Sequence, residues 1–269
     1  MKYIKRTLRV SLPTIRKALE SKESFEALAF CVMAKLNITS STLNNVTCRS
    51  LKETTHLGTK KLNQILSYCE EHGMIKRDGN KIVFKPLSRD GVLSYEFHNR
   101  YASRRKKKGE KAPLVFNLRL YEVKDMLRRA VLAHHFKRLE SIRQTIMLTI
   151  NPSCVNDYRR GRGLRRRLAV WGDDFYISNK RMAKVARCCV SKARAIKRGM
   201  VAHGEITKDF CKTVLCDDAD LFNIDLFYER FGKDNFIFRG VNDNKVYLQH
   251  PNIYCYKGKN IVFSKITTN

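Results

Sequence analysis

The 269-residue chain carries 54 lysines and arginines against 25 acidic residues, a formal net charge of +29, with an isoelectric point near 10. So lopsided a balance excludes an ordinary soluble enzyme and calls for a polyanionic partner. No apolar run reaches the roughly 18 residues that a membrane span needs, and residues 1–23 are charged throughout, unlike a secretory signal.

The protein is therefore expected in the cytoplasm, associated with the nucleoid, or in a nucleus, and not to be secreted. Its length suits two domains, each burying its own core. Nine cysteines, at positions 31, 48, 69, 154, 188, 189, 211, 216 and 255, are an odd number in a chain too large to need staples. Several fall on apolar helix faces, so reduced thiols are expected. A zinc site needs two close pairs. Cys211 and Cys216 form one pair with no second pair nearby, and neither a metal nor any other cofactor is expected.

Residues 1–20 alternate basic and apolar positions without a clear period, although Val10, Leu12, Ile15 and Leu19, with Pro13 near the start, suit a short helix over 9–19. Ser24 reads as the N-cap of a longer core helix, whose Phe25, Leu28, Ala29, Val32 and Leu36 make an apolar stripe. The stretch 47–85 carries the clearest pattern. Leu51 and Leu57 suit a first helix, residues 56–59 a turn, and Leu62, Ile65, Leu66 and Cys69 one face of a second helix. Gly73 can take the left-handed conformation that closes that helix. Residues 74–77 and 81–85 then flank Asp78-Gly79, a hairpin signal. The first module is expected over residues 1–88.

Residues 89–113 hold nothing that builds a core. A turn at 88–91 and a basic run at 104–111, closed by Pro113, read as a basic linker or exposed loop. A helical pattern returns over 121–148, with Val123, Leu127, Ala130, Val131, His134, Ile142 and Ile146 near one face. Residues 158–167 then hold six arginines, and positions 100–170 contain 20 basic residues against five acidic, about half of the chain's net charge. This middle is the expected electrostatic footprint, with Arg104, Arg105, Lys106, Arg162, Arg165 and Arg166 set against phosphates. Domain packing explains the apolar face of the basic helix more simply than a membrane surface does. No membrane partner is expected.

Residues 177–206 parallel the first stretch. Laying residues 203–206 on 72–75 gives an offset of 131, which puts Met182 on Leu51, Val185 on Thr54, Ala193 on Leu62, Ile196 on Ile65 and Met200 on Cys69. The apolar face is kept at each position except Thr54, and Ser178 or Asn179 suits the N-cap. Internal duplication of the fold is the economical reading. After Ile206 an immediate hairpin is missing. Strand-like runs follow at 235–239, 245–249, 253–256 and 260–265. Residues 258–263 resemble 79–84, which leaves two readings open: a displaced second hairpin, or a separate small sheet.

Both stretches resemble the helix-turn-helix of winged-helix DNA-binding proteins, ending on Gly73-Met74-Ile75 and on Gly204-Glu205-Ile206. The resemblance implies a mainly α fold with small β wings (α+β), two winged-helix-like modules joined by a basic segment, over 1–88 and 114–269. It also implies that the second helix of each pair enters the major groove with its N-terminal residues at base edges. Carried onto this chain, that offers Thr59, Lys60, Lys61, Asn63 and Gln64 in the first module, with Lys76, Arg77 and Lys81 on its wing. The second offers Lys180, Ser191, Lys192, Arg194, Ala195 and Arg198. Asn and Gln can pair with adenine bidentately, and Arg with guanine. From 179 to 203 there are eight basic residues and no acidic one, so the second module is expected to grip DNA more strongly, leaving the first freer to pair in a homodimer.

His135 and Arg138 give the H-x-x-R spacing of tyrosine recombinases, with Tyr158 or Tyr176 as imaginable nucleophiles. The surrounding context is wrong for it, and no P-loop, G-x-S-x-G or dinucleotide fingerprint is present. No enzyme is expected. Tandem modules in a chain of this length resemble plasmid or phage replication initiators. A transcriptional regulator fits the same residues, and the rival from another class is an architectural protein of a phage particle or ribonucleoprotein that binds nucleic acid or protein without reading sequence.

Overall fold

In the computed structural model the described residues are 4–38, 41–102, 116–150, 177–210, 213–216, 236–239, 246–249 and 253–263. They fall into two units, one from residues 1–131 with 259–269, the other from 132–258. Helices and small antiparallel sheets build both.

The first unit starts with β1 (Ile4–Ser11), which runs directly into α1 (Leu12–Ala18). Ser11 ends the strand and caps the helix, its Oγ accepting the Thr14 N–H at 3.3 Å. Pro13 stands in the first turn, where a helix has no partner for an N–H in any case. The strand was hidden in the sequence because Arg6 takes an inward, half-buried position in the alternation that Leu8 and Val10 continue.

Next comes α2 (Lys22–Asn37), capped by Ser21 rather than Ser24: the Ser21 Oγ accepts the Ser24 N–H at 3.0 Å. The helix carries more than a stripe, since every residue from 27 to 37 is buried. A helix apolar all round is one enclosed by its neighbours.

The chain continues with β2 (Thr42–Leu43), α3 (Cys48–Thr55), α4 (Thr59–Glu71), β3 (Ile75–Asp78), β4 (Lys81–Phe84) and β5 (Leu93–Ala102). α2 packs on α1, α4, β1 and β5. Thr47 opens α3 with a capping box, exchanging hydrogen bonds with Ser50 at 3.1 and 2.9 Å. On α4, Leu62, Ile65, Leu66 and Cys69 are buried as their spacing predicts. Each buried aliphatic contributes about 1.5–3 kcal/mol relative to exposure. β3 and β4 form the expected hairpin, but its register places Asp78 opposite Lys81. The loop is therefore Gly79-Asn80, with Gly79 at φ 53°. β2 adds a third strand, in the order β2-β4-β3.

Residues 93–102, expected in a linker, are instead the ten-residue β5, paired antiparallel with β1 from Ile4↔Ala102 to Ser11↔Ser94. Two inward polar positions, Ser94 and Asn99, disguise its alternation. Both are satisfied: Ser94 donates to the Val92 carbonyl at 3.1 Å, and Asn99 to the Leu36 carbonyl at 3.0 Å. Tyr95 and Phe97 are buried beside them, ring centroids 4.9 Å apart. The unit thus extends past residue 88.

α5 (Leu120–Ile150) begins in the first unit. Its Val123, Leu127, Ala130 and Val131 are buried as expected, His134 is half-buried, and Ile142 is exposed, so the apolar face ends before it. At the end of α2, Asn37 ties this helix's approach down. Its Oδ1 accepts the Asn117 N–H at 2.8 Å, and its Nδ2 donates to the Met33 carbonyl at 2.8 Å.

In the second unit, α6 (Asn179–Val185) and α7 (Val190–Ala202) precede β6 (Ile206–Phe210) and β7 (Thr213–Cys216). β8 (Phe236–Arg239), β9 (Val246–Gln249) and β10 (Ile253–Tyr256) follow. Phe136 of α5 meets Tyr254 edge-on at 5.8 Å, and Glu140 accepts the Tyr256 N–H at 2.7 Å.

The separate-sheet reading holds in part, since β7, β9 and β8 form one sheet, whereas the last two strands do not make a second hairpin: β10 pairs with β6 instead. The likeness of 258–263 to 79–84 misleads, because β11 (Ile261–Phe263) joins β5 of the first unit. Its short apolar sequence fits any half-buried edge, and pairing rather than residue type decides which. Among the described residues no helix is long and apolar enough to cross a membrane.

Candidate nucleic-acid interface

The backbone of residues 47–75 recurs 131 positions later in its first-helix cap, its left-handed turn and its glycine closure. Thr47 caps α3, and Ser178 caps α6, its Oγ accepting the Arg181 N–H at 3.0 Å. The turns that follow pass through left-handed residues, His56 at φ 55° and Arg187 at φ 45°. α4 and α7 are both 13 residues long. Each closes on a left-handed glycine, Gly73 or Gly204. Met74 N–H bonds the Cys69 carbonyl at 2.7 Å, and Glu205 N–H bonds that of Met200 at 2.9 Å, the six-to-one bond of a Schellman closure.

The strands obey the same plan. Ile75 pairs with Phe84, and Ile206 with Tyr256. Lys85 N–H then bonds Met74 O at 3.0 Å, and Lys257 N–H bonds Glu205 O at 2.7 Å. Duplication expected from apolar spacing is therefore present in the backbone, with the second strand of the second copy supplied from far along the chain.

Thr59, Lys60, Asn63 and Gln64 are exposed on α4, while Leu62, Ile65, Leu66 and Cys69 are buried. Lys61 is diverted from this exposed set into a 2.9 Å ion pair with Glu26 of α2. On the hairpin Lys76 and Lys81 are exposed, whereas Arg77 pairs with Glu70 at 2.9 Å. In the second copy Ser191, Arg194, Ala195 and Arg198 are exposed on α7 and Lys180 on α6; Lys192 is half-buried. Among the described residues neither Arg194 nor Arg198 forms an ion pair. Arg104, Arg105, Lys106, Arg162, Arg165 and Arg166 lie outside the described residues, as do Tyr158, Tyr176 and Cys211.

Glu26 is the electrostatic hinge of the first copy. Burial pushes its carboxyl up, but hydrogen bonds and charge from Lys124 and Lys61 outweigh that and hold it below its ordinary value. Lys124 approaches it at 2.5 Å. In the second copy Lys197 is occupied within the fold. Its Nζ donates to Asn179 Oδ1 at 2.7 Å and stands 5.3 Å from the Tyr254 ring centre.

Several exposed cations escaped the sequence reading. Lys184, Arg187 and Lys208 are exposed beside α7. Arg187 was reachable, because it falls on His56 at the same offset. Arg119 and Lys124, brought to the α3–α4 turn only by tertiary packing, had no such signal.

His134 and His135 are half-buried on α5. Cys31 and Cys69 face each other at 3.8 Å in the core. The hydrogen bond with Cys69, then burial, push the Cys31 thiol well up, which keeps it protonated and unreactive. No protein-family model matches the chain, and no curated protein sequence matches it.

Proposed function

We propose that this protein is a sequence-specific DNA-binding protein of tandem winged-helix type, acting as a replication initiator or transcriptional regulator without covalent chemistry of its own. The observation that carries the reading is the repeated turn–helix–strand backbone, in which α4 and α7 each bury one face and expose polar side chains suited to base edges. Asn63 and Gln64 suit adenine, and Arg194 and Arg198 suit guanine, each good pair worth about 1–3 kcal/mol of discrimination. The order α2, β2, α3, α4, β3, β4 supports the same reading, since a winged helix places its recognition helix between a supporting helix and a hairpin.

The two copies have different roles in this proposal. α7, whose Arg194 and Arg198 form no ion pair among the described residues, is the stronger grip on duplex DNA. The first copy, with Lys61 and Arg77 in ion pairs, reads more weakly and supplies the contact between two copies of the chain. Arg104, Arg105, Lys106, Arg162, Arg165 and Arg166 add phosphate contacts. Such a protein works in the cytoplasm, at the nucleoid, or in a nucleus.

The net charge of +29 by itself favours a second reading, an architectural protein that binds the backbone without reading bases. Selecting bound duplexes from a random pool, at two salt concentrations, separates the two. A recovered consensus, weakened by changing Arg194 or Arg198, supports base readout. Affinity that collapses with salt while selection enriches no sequence supports the architectural role.

A further inference from the structure

A cleft of about 390 Å3 opens beside the turn between α3 and α4. Its walls include His56 and Leu57 of that turn, Lys61 of α4, and Arg119, Tyr121 and Lys124 at the start of α5. Three features give it a chemical character.

The first is an excess of positive charge. Lys61 and Lys124 share a single carboxylate, Glu26, so this pair keeps one charge in excess. Arg119 adds another: none of the ion pairs among the described residues includes it. The nearest acid in sequence, Glu122, accepts the Arg119 backbone N–H at 2.6 Å.

The second is an aromatic ring held out in solvent. Tyr121 is 65 % exposed although Leu120 and Val123 beside it are buried. The helix that carries it is anchored, so the ring is presented at a fixed place rather than on a loose segment.

The third is position. Only Gly58 separates the cleft's Leu57 from Thr59 and Lys60, the first residues of α4.

We propose that this cleft is a phosphate clamp, taking a phosphodiester of the duplex backbone at the flank of the groove that α4 enters. The inference rests on the DNA-binding reading above and adds three residues, Arg119, Tyr121 and Lys124, from an element outside the repeated backbone. A guanidinium offers a planar fork of donors that matches two phosphate oxygens. A tyrosine hydroxyl is a common donor to backbone phosphate. Contacts of this kind fix the register of a protein on the duplex and carry no sequence information. The clamp would thus set how deeply α4 enters, leaving base choice to α4 itself.

The test uses the full chain and a labelled mixed-sequence duplex, with affinity measured by anisotropy over a range of salt. Arg119→Gln is expected to weaken binding about three- to tenfold at low salt and to lower the slope of log affinity against log salt by about 0.9, one phosphate contact. Tyr121→Phe, which keeps the ring and removes the hydroxyl, is expected to weaken binding about twofold without moving the unfolding midpoint. Lys17→Ala, which removes an exposed charge from α1, controls for net charge. Wild-type binding with Arg119→Gln no weaker than Lys17→Ala overturns the clamp and leaves the DNA-binding reading standing. Absence of duplex binding by the wild type overturns both. If a polyglutamate peptide binds and only its affinity falls with Arg119→Gln, the cleft serves an acidic protein partner and the clamp is wrong.

Discussion

His56 and Arg187 hold the same left-handed backbone at equivalent positions of two turns, at φ 55° and 45°. A side chain in that region is disfavoured by about 1–2 kcal/mol, because Cβ crowds the following carbonyl. Glycine carries no such penalty but loses more freedom on folding. His56→Gly is therefore expected to stabilise the protein by about 0.5–1 kcal/mol, and His56→Val to destabilise it by more. Urea midpoints measure both. If the two copies are equivalent, Arg187 responds with the same signs.

Changing Glu26 should move stability and DNA affinity in opposite directions. Glu26→Gln removes the carboxylate that holds Lys61 and Lys124. A loss of about 1–2 kcal/mol is expected, at the low end for charged hydrogen bonds because Lys61 is 44 % exposed. Both lysines are released, so affinity for duplex DNA should rise. The folded carboxyl lies below its ordinary 4.5. Its contribution is therefore complete above pH 4.5 and disappears as pH falls through the folded value. A variant whose acid unfolding profile overlays the wild type's would refute the role given to Glu26.

Ion pairing also ranks the cations. Arg194→Ala with Arg198→Ala should cost more affinity than Lys61→Ala with Arg77→Ala, since the latter two are already held by Glu26 and Glu70. Titration of one duplex with both double variants decides the order; the reverse order would exchange the roles of the two copies.

How far the sequence carried this result differs by element. α4 and the β3–β4 hairpin were legible because their stabilising features are local: apolar residues at helical spacing, a glycine closure and a short turn. α3 was legible only through Leu51, since Leu57, expected on the same helix, lies in the turn after Thr55. α6 and α7 followed by the same spacing. β1 and β5 were not legible, since Arg6, Ser94 and Asn99 interrupt their alternation from inward positions, and the bonds that satisfy Ser94 and Asn99 exist only once the chain has folded. Among candidate contacts, Lys60, Asn63, Gln64, Arg194 and Arg198 emerged exposed as their helix faces dictate. Lys61 and Arg77 did not, because nothing local announces that Glu26 and Glu70 stand beside them.

Asn37 supplies a test of the framework beneath the cleft. It is fully buried and joins α2 to the approach of α5 through the Asn117 N–H. Asn37→Ala leaves that donor and the Met33 carbonyl without this partner, for an expected loss of about 2–3 kcal/mol. Hydrogen exchange should quicken at Asn117 before it does in β4. A uniform change across the unit would mean that Asn37 acts globally instead.

The pairing of β11 with β5 has a consequence in time. Asn260 and Tyr95 are hydrogen-bonded across 165 residues of sequence, and the edge that β11 covers is complete only after all the intervening chain has left the ribosome. Contacts of such separation form late and slowly, so during synthesis β5 waits with one edge uncovered. An exposed strand edge is a template for unwanted pairing. A nascent chain stalled before residue 261 should accordingly lean on a chaperone, and one released past it should not.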